Sequence, residues 1–138
     1  MIELKEVKYI NQPLDEMAEI GTVNNVLYLY IRTNDAGNVP HFHFRDLSCS
    51  DKEIRFGKAD GTIKLLEPEY FPHGGKYERK LTNSQIKELI KFLNKPFTKF
   101  KRFTGTNWEY IVSMWNGNNS KMNIDEDTPM PDYTKLNV

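Results

Sequence analysis

Val26-Leu27-Tyr28-Leu29-Tyr30-Ile31-Arg32 and, after a polar turn, Pro40-His41-Phe42-His43-Phe44 are the two runs that decide the fold. The first is rich in β-branched and aromatic residues, which fit a pleated, well-packed strand, and it extends over residues 23–32. The second opens at Pro40 and predicts a strand over residues 41–47. Between them, Asn34-Asp35-Ala36-Gly37-Asn38 is turn chemistry, because Asn, Asp and Gly tolerate positive φ or cap the turn with their own side chains.

Outward from this pair, residues 2–10 alternate apolar and polar positions, as a short strand does. Pro13 suits the first turn of a short helix running through Met17, Ala18 and Ile20, with Gly21 as its stop. Asp60-Gly61 suits a tight turn between strands at residues 53–57 and 62–66. Residues 67–75 hold two prolines and two glycines and read as a mobile loop. Thr82 with Gln85 is a capping box ahead of Ile86, Leu89, Ile90 and Leu93, and the helix ends before Pro96. Thr106 with Glu109 repeats the signal ahead of Trp108, Ile111, Val112 and Trp115, up to Asn116-Gly117.

Strands followed by helices predict an α+β fold, an antiparallel meander of about four to five strands packed by two C-terminal helices. Residues 1–117 form the single domain. Residues 118–138, rich in Asn, Asp, Pro and Ser, read as an extended or partly disordered acidic tail.

A chain of 138 residues is the usual size of one domain, and its 17 aromatic side chains offset a modest apolar fraction of 38 %. Apolar runs fall far short of the roughly 20 residues that span a bilayer, and Met1 to Lys5 lacks a signal peptide's apolar stretch. No membrane association and a cytoplasmic location are the expectation. Cys49 is the single cysteine, which rules out an internal disulfide or an all-cysteine zinc site and suits a small half-buried residue.

Residues two apart on a strand share a face, so His41 and His43 present two imidazoles together while Phe42 and Phe44 turn to the core. The third histidine, His73, lies in the proline and glycine loop. Three readings stay open. The three histidines hold zinc or iron, with Asp35, Glu67 or Glu69 as possible carboxylate ligands; the pair does acid–base work without metal; or both are half-exposed strand residues with ordinary hydrogen bonds. Arg45 stands where a histidine-triad nucleotide hydrolase carries a third histidine, and the intervals to Glu53 and His73 do not suit a cupin.

The order of features from residue 26 to 117 resembles a group of small bacterial domains of unknown function with a Pro-His-Phe-His signature, here Pro40 to His43. A strand and polar turn precede it; a hairpin, a helix opened by Lys80-Leu81 and a second helix with Trp108 follow. Residues 67–79 and 95–105 look like insertions relative to that group. Such proteins are often encoded near toxin–antitoxin or mobile-element genes, which implies an accessory or regulatory module more than a metabolic enzyme.

Formal charge sums to zero, yet residues 1–75 carry −4, residues 76–102 carry +7 and residues 103–138 carry −3. Within the basic stretch Lys87, Lys91 and Lys95 recur every four residues, and Lys99, Lys101 and Arg102 lie among Phe97, Phe100 and Phe103. Lysines for phosphates beside an aromatic for an unpaired base suit a nucleic-acid surface, and the same charges suit an acidic protein. A solvated helix face with the phenylalanines in the core is the plain alternative. The expectation is a binding module with a protein or nucleic-acid partner; the competing one is a small metal-dependent enzyme built on the His-x-His strand.

Overall fold

The computed structural model describes residues 17–32, 39–72, 76–119 and 122–138. The expected strand at residues 2–10, Pro13, the turn at 34–38 and His73 lie outside them.

Among the described residues four strands form one antiparallel meander in the order β1 (Met17–Val23), β2 (Leu27–Arg32), β3 (His41–Asp46) and β4 (Asp60–Lys64). With the C-terminal helices this is the expected α+β fold. Met17 to Ile20 are strand rather than helix. Pairing with β2 gives these residues backbone partners and buries Ile20, and that tertiary gain overrides local helical preference. Gly21 is not a helix stop: it sits at a bulge that begins at Glu19, where a Cβ would come within 2.8 Å of Phe92 Cζ.

The run over 23–32 is in fact the end of β1, a tight turn and β2. Asn24 and Asn25 both take positive φ, 47° and 58°, and the Val26 N–H donates to the Val23 carbonyl at 2.8 Å. Two left-handed residues match the right-handed twist of the strands they join, and Asn accepts that conformation more readily than most residues.

The expected hairpin around Asp60-Gly61 is also corrected. Ser50 caps a short helix, α1 (Asp51–Arg55), through a complete capping box with Glu53, a signal that outweighs the strand reading of 53–57. Asp60 and Gly61 stand inside β4, opposite Arg45 and Phe44. Gly61 is needed there because a Cβ would lie 2.5 Å from Phe44 Cζ. Residues 69–71 then return along the outer edge of β4, with Phe71 N–H donating to the Thr62 carbonyl at 2.9 Å.

Both C-terminal helices follow their caps: α2 (Asn83–Leu93) from Thr82 and Gln85, α3 (Asn107–Asn118) from Thr106 and Glu109. Their buried residues, Ile86, Leu89 and Leu93 on α2 and Trp108, Ile111, Val112 and Trp115 on α3, share one core with Leu27, Leu29, Ile31, Phe42, Phe44 and Ile63 of the sheet. Asp46, at the end of β3, ties the layers together. It accepts hydrogen bonds from Ser48, from the Tyr77 hydroxyl at 2.8 Å and from Gln85 Nε2 of α2 at 3.1 Å.

Residues 122–138, read as a tail beyond the domain, return to that core. Trp108 and Trp115 donate their indole N–H groups to the carbonyls of Thr128 and Met122. Tyr133, in a 3-10 turn (Tyr133–Lys135), is fully buried and donates to the Lys64 carbonyl at 2.7 Å. Asn137 donates to the Leu81 carbonyl and accepts from Tyr70. The composition is polar because most of the strap is surface; its few apolar residues are spaced to reach inward, and indole and amide hydrogen bonds hold the backbone between them.

Two stability predictions follow from these contacts. Tyr133→Ala removes a buried ring and should cost about 3–5 kcal/mol in urea unfolding; a loss below about 1 kcal/mol would show the strap to be peripheral. Asp46→Asn should cost about 1–3 kcal/mol at pH 7, because donors from Ser48, Tyr77 and Gln85 lose a charged acceptor. Burial alone pushes the Asp46 carboxyl up, but its donors from Ser48, Tyr77 and Gln85 together outweigh burial and hold it below its ordinary value. A lowered folded pKa means the stabilisation is complete above the unfolded value of about 3.9 and fades as pH falls through the folded value. Unfolding at pH 7 and at roughly pH 3 should therefore show the wild-type advantage narrowing in acid.

Candidate functional site

The sequence points to two regions, the histidine strand and the basic segment, and the fold treats them differently. β3 lies between β2 and β4, with Phe42 and Phe44 on the helix side. His41, His43 and Arg45 alternate with them, and His41, at the start of the strand, still reaches Trp115 of α3. Both histidines are buried, at 0 % and 3 % exposure, which corrects the half-exposed reading. An inner strand has neighbours on each side, and aromatic rings close in: His43 stacks on Tyr30 at 4.9 Å, while His41 meets Phe71 at 5.2 Å and Trp115 at 5.3 Å. The two imidazoles do meet, edge to face at 5.1 Å. His41 Nδ1 is 2.7 Å from the Val39 carbonyl, which makes that nitrogen the N–H donor.

Among the described residues no three His, Cys, Asp or Glu side chains gather as a metal site requires. Glu69 is engaged by Lys64 Nζ at 2.7 Å, and Glu67 approaches the same nitrogen at 3.8 Å. His73 and Asp35 lie outside the described residues. Cys49 is 6 % exposed, and burial, helped by the nearby Asp46 charge, pushes its thiol up to about 11, so it behaves as a packing residue rather than a nucleophile.

Beside the histidines lies a buried ion pair absent from the sequence reading. Arg45, 2 % exposed, places Nε and Nη2 on the two carboxylate oxygens of Asp60, the Nη2 contact at 2.6 Å. Tyr30 Oη adds a longer contact to Asp60 at 3.5 Å. Burial and the Asp60 carboxylate both push the Tyr30 phenol well above its ordinary value, so it stays a neutral donor. Among the described residues the buried Arg45 Nη1 has no acceptor. The alternation that singles out His41 and His43 also carries Arg45 to their face; its partner was hidden because Asp60 reads as a turn residue.

The basic segment is on the surface. Lys87 and Lys91 project from α2, and Lys95, Lys99, Lys101 and Arg102 follow on the loop to α3; all six are exposed. Lys91 lies 3.5 Å from Glu88 and Lys99 pairs with Glu19. Among the described residues Lys87, Lys95, Lys101 and Arg102 have no acidic partner. The loop is closed at its base by Phe97 N–H to the Gly105 carbonyl and Asn107 N–H to the Lys95 carbonyl, each 2.8 Å. Inside it, Phe97 stacks on Tyr110 at 3.8 Å and Phe103 packs edge-on to both. The phenylalanines therefore divide: Phe97 is core, Phe103 is half-buried, and Phe100 at the tip is 49 % exposed.

Beside the loop base, Lys95, Pro96 and Thr98 border a groove of about 400 Å³ whose other wall includes Val23 and Phe92. Asp125, Glu126 and Asp127 make no ion pair with the basic residues among those described; Asp125 instead accepts from the Asp127 N–H at 3.1 Å.

No protein-family model, curated protein or solved structure matches the chain. Among the described residues no helix is long and apolar enough to cross a membrane.

Removing one member of the Arg45–Asp60 pair strands a buried charge, so Asp60→Ala should cost about 3–5 kcal/mol in chemical unfolding. Arg45→Met with Asp60→Leu should recover most of that loss, since well-packed apolar replacements of buried pairs are often neutral. A double variant as unstable as Asp60→Ala alone would show that the pair is required for more than its own charges.

Proposed function

We propose that this chain is a cytoplasmic accessory or regulatory binding module of bacterial or mobile-element origin. It acts by holding an anionic partner, protein or nucleic acid, against α2 and the loop at 95–106. One observation carries this reading: exposed cations that have no acidic partner among the described residues cluster on a loop that backbone hydrogen bonds and stacked rings hold in shape. A braced loop loses little conformational freedom when a partner binds, so its contacts are not spent on ordering it. The resemblance of residues 26–117 to small bacterial Pro-His-Phe-His domains suggests the same kind of accessory role.

The competing reading, a small metal-dependent enzyme on His41 and His43, has less support. Rings packed against Tyr30, Phe71 and Trp115 are enclosed by the fold, whereas the cations are accessible as they stand.

With zero formal net charge, the whole chain has no general attraction to a polyanion, so retention on one reports the local patch. Wild-type protein should bind a heparin column at pH 7 and elute with salt. A variant with Lys87, Lys95, Lys101 and Arg102 all changed to Glu should pass through or elute at clearly lower salt. Equal elution of the two would remove this surface from consideration.

A further inference from the structure

We infer that the anionic partner is single-stranded nucleic acid, with Phe100 as the stacking face for an unpaired base and the groove beside Lys95 as the seat of a further nucleotide. This rests on the proposed function and adds to it the class of partner and the residue that selects it.

Phe100 is the observation that discriminates. Its ring stands 5.8 Å from Phe97 and 6.5 Å from Tyr110, so one side leans on the aromatic cluster while about half of its surface meets water. Lys99 and Lys101 flank it directly and Arg102 follows. An acidic protein would be met by the cations alone and gives no purpose to an apolar ring among them. A duplex keeps its bases stacked inside and offers mainly phosphates to such a loop. An unpaired base presents a free π-face, and stacking on an aromatic with lysines on the backbone is the common chemistry of single-strand binding.

The groove extends the same surface. Val23, Phe92 and Pro96 supply apolar walls, and Lys95 and Thr98 supply polar groups at the base of the same loop. Its one carboxylate, Glu88, is engaged by Asn24 Nδ2 and lies 3.5 Å from Lys91 Nζ, which lowers its repulsion of a phosphate. Glu19 is held by Lys99, and the Glu109 carboxylate is turned back onto the Thr106 N–H at 2.7 Å as a helix cap. The cations are mostly lysine, which meets phosphate as a point charge and does not read base edges in paired fashion, so recognition should tolerate many sequences.

The test is fluorescence anisotropy on the full chain with a labelled thymidine oligonucleotide of about 12 residues, the matching duplex, and polyglutamate as competitor. The single strand should bind more tightly than the duplex, and its affinity should fall steeply between roughly 50 and 200 mM salt. Phe100→Ala should weaken single-strand binding about 5- to 100-fold, and Phe100→Trp should retain it. Phe100→Leu keeps an apolar contact with Phe97 and Tyr110 but lacks a π-face; it should lose affinity as Phe100→Ala does while keeping the wild-type melting temperature, which separates stacking from folding. Phe100 variants that bind like wild type, a duplex bound as tightly as the single strand, or binding competed by polyglutamate and not by unlabelled oligonucleotide would each overturn the inference. If the four-charge variant still loses heparin retention in those cases, the binding surface stands and only the partner is wrong; if it does not, both readings fall.

Discussion

An inner strand whose two faces are both covered sets the terms for this structure. β3 is paired by β2 on one side and β4 on the other, so its backbone is satisfied by the sheet and its side chains must find partners on both faces. Phe42 and Phe44 meet the helices on one face. On the other, His41, His43 and Arg45 are too polar to be buried alone, and Tyr30, Phe71 and Asp60 supply ring contacts and a counter-charge. Asp46 extends the same requirement to the end of the strand, where its carboxylate gathers donors from Ser48, Tyr77 and α2. Each polar group on β3 thereby draws in a neighbouring segment.

That arrangement changes the meaning of the histidines. A pair of imidazoles on one strand face is a chemical signal only while the rings remain accessible to a third group. Here their neighbours are aromatic, and the cost of burying them is met by stacking and hydrogen bonding. The accessible chemistry lies elsewhere, on the loop between α2 and α3. Phe97 and Phe103 of that loop pack with Tyr110 of α3 as the aromatic margin of the main core, which braces the loop from beneath. The tip therefore presents charge and one apolar ring in a defined geometry.

Much of the architecture was legible because local signals and tertiary packing agree. Thr82 and Thr106 announce their helices through capping boxes, and the apolar positions that follow have the helical period. Phe42 and Phe44 take the core face that alternation assigns them. Where signals conflict, packing decides. Asn24-Asn25 lacks the glycine that usually marks a left-handed turn and disappeared into an apolar run. Ser50-x-x-Glu53 is a capping box set against a hairpin reading, and Asp60-Gly61 imitates a turn although Gly61 is there to clear the Phe44 ring.

The candidate surface shows the same division. The sequence by itself determined an antiparallel α+β domain, two capped helices and a cluster of lysines among phenylalanines, because periodicity, capping and charge are properties of neighbouring residues. Only the tertiary structure decided which phenylalanine is exposed, which cations are already paired, and that the histidines are enclosed. Those outcomes depend on residues distant in the chain: Tyr110 beneath Phe97, Glu19 beside Lys99, Tyr30 against His43 and Asp60 on Arg45. Burial and pairing are relations between segments, and a local pattern carries no record of which segment arrives.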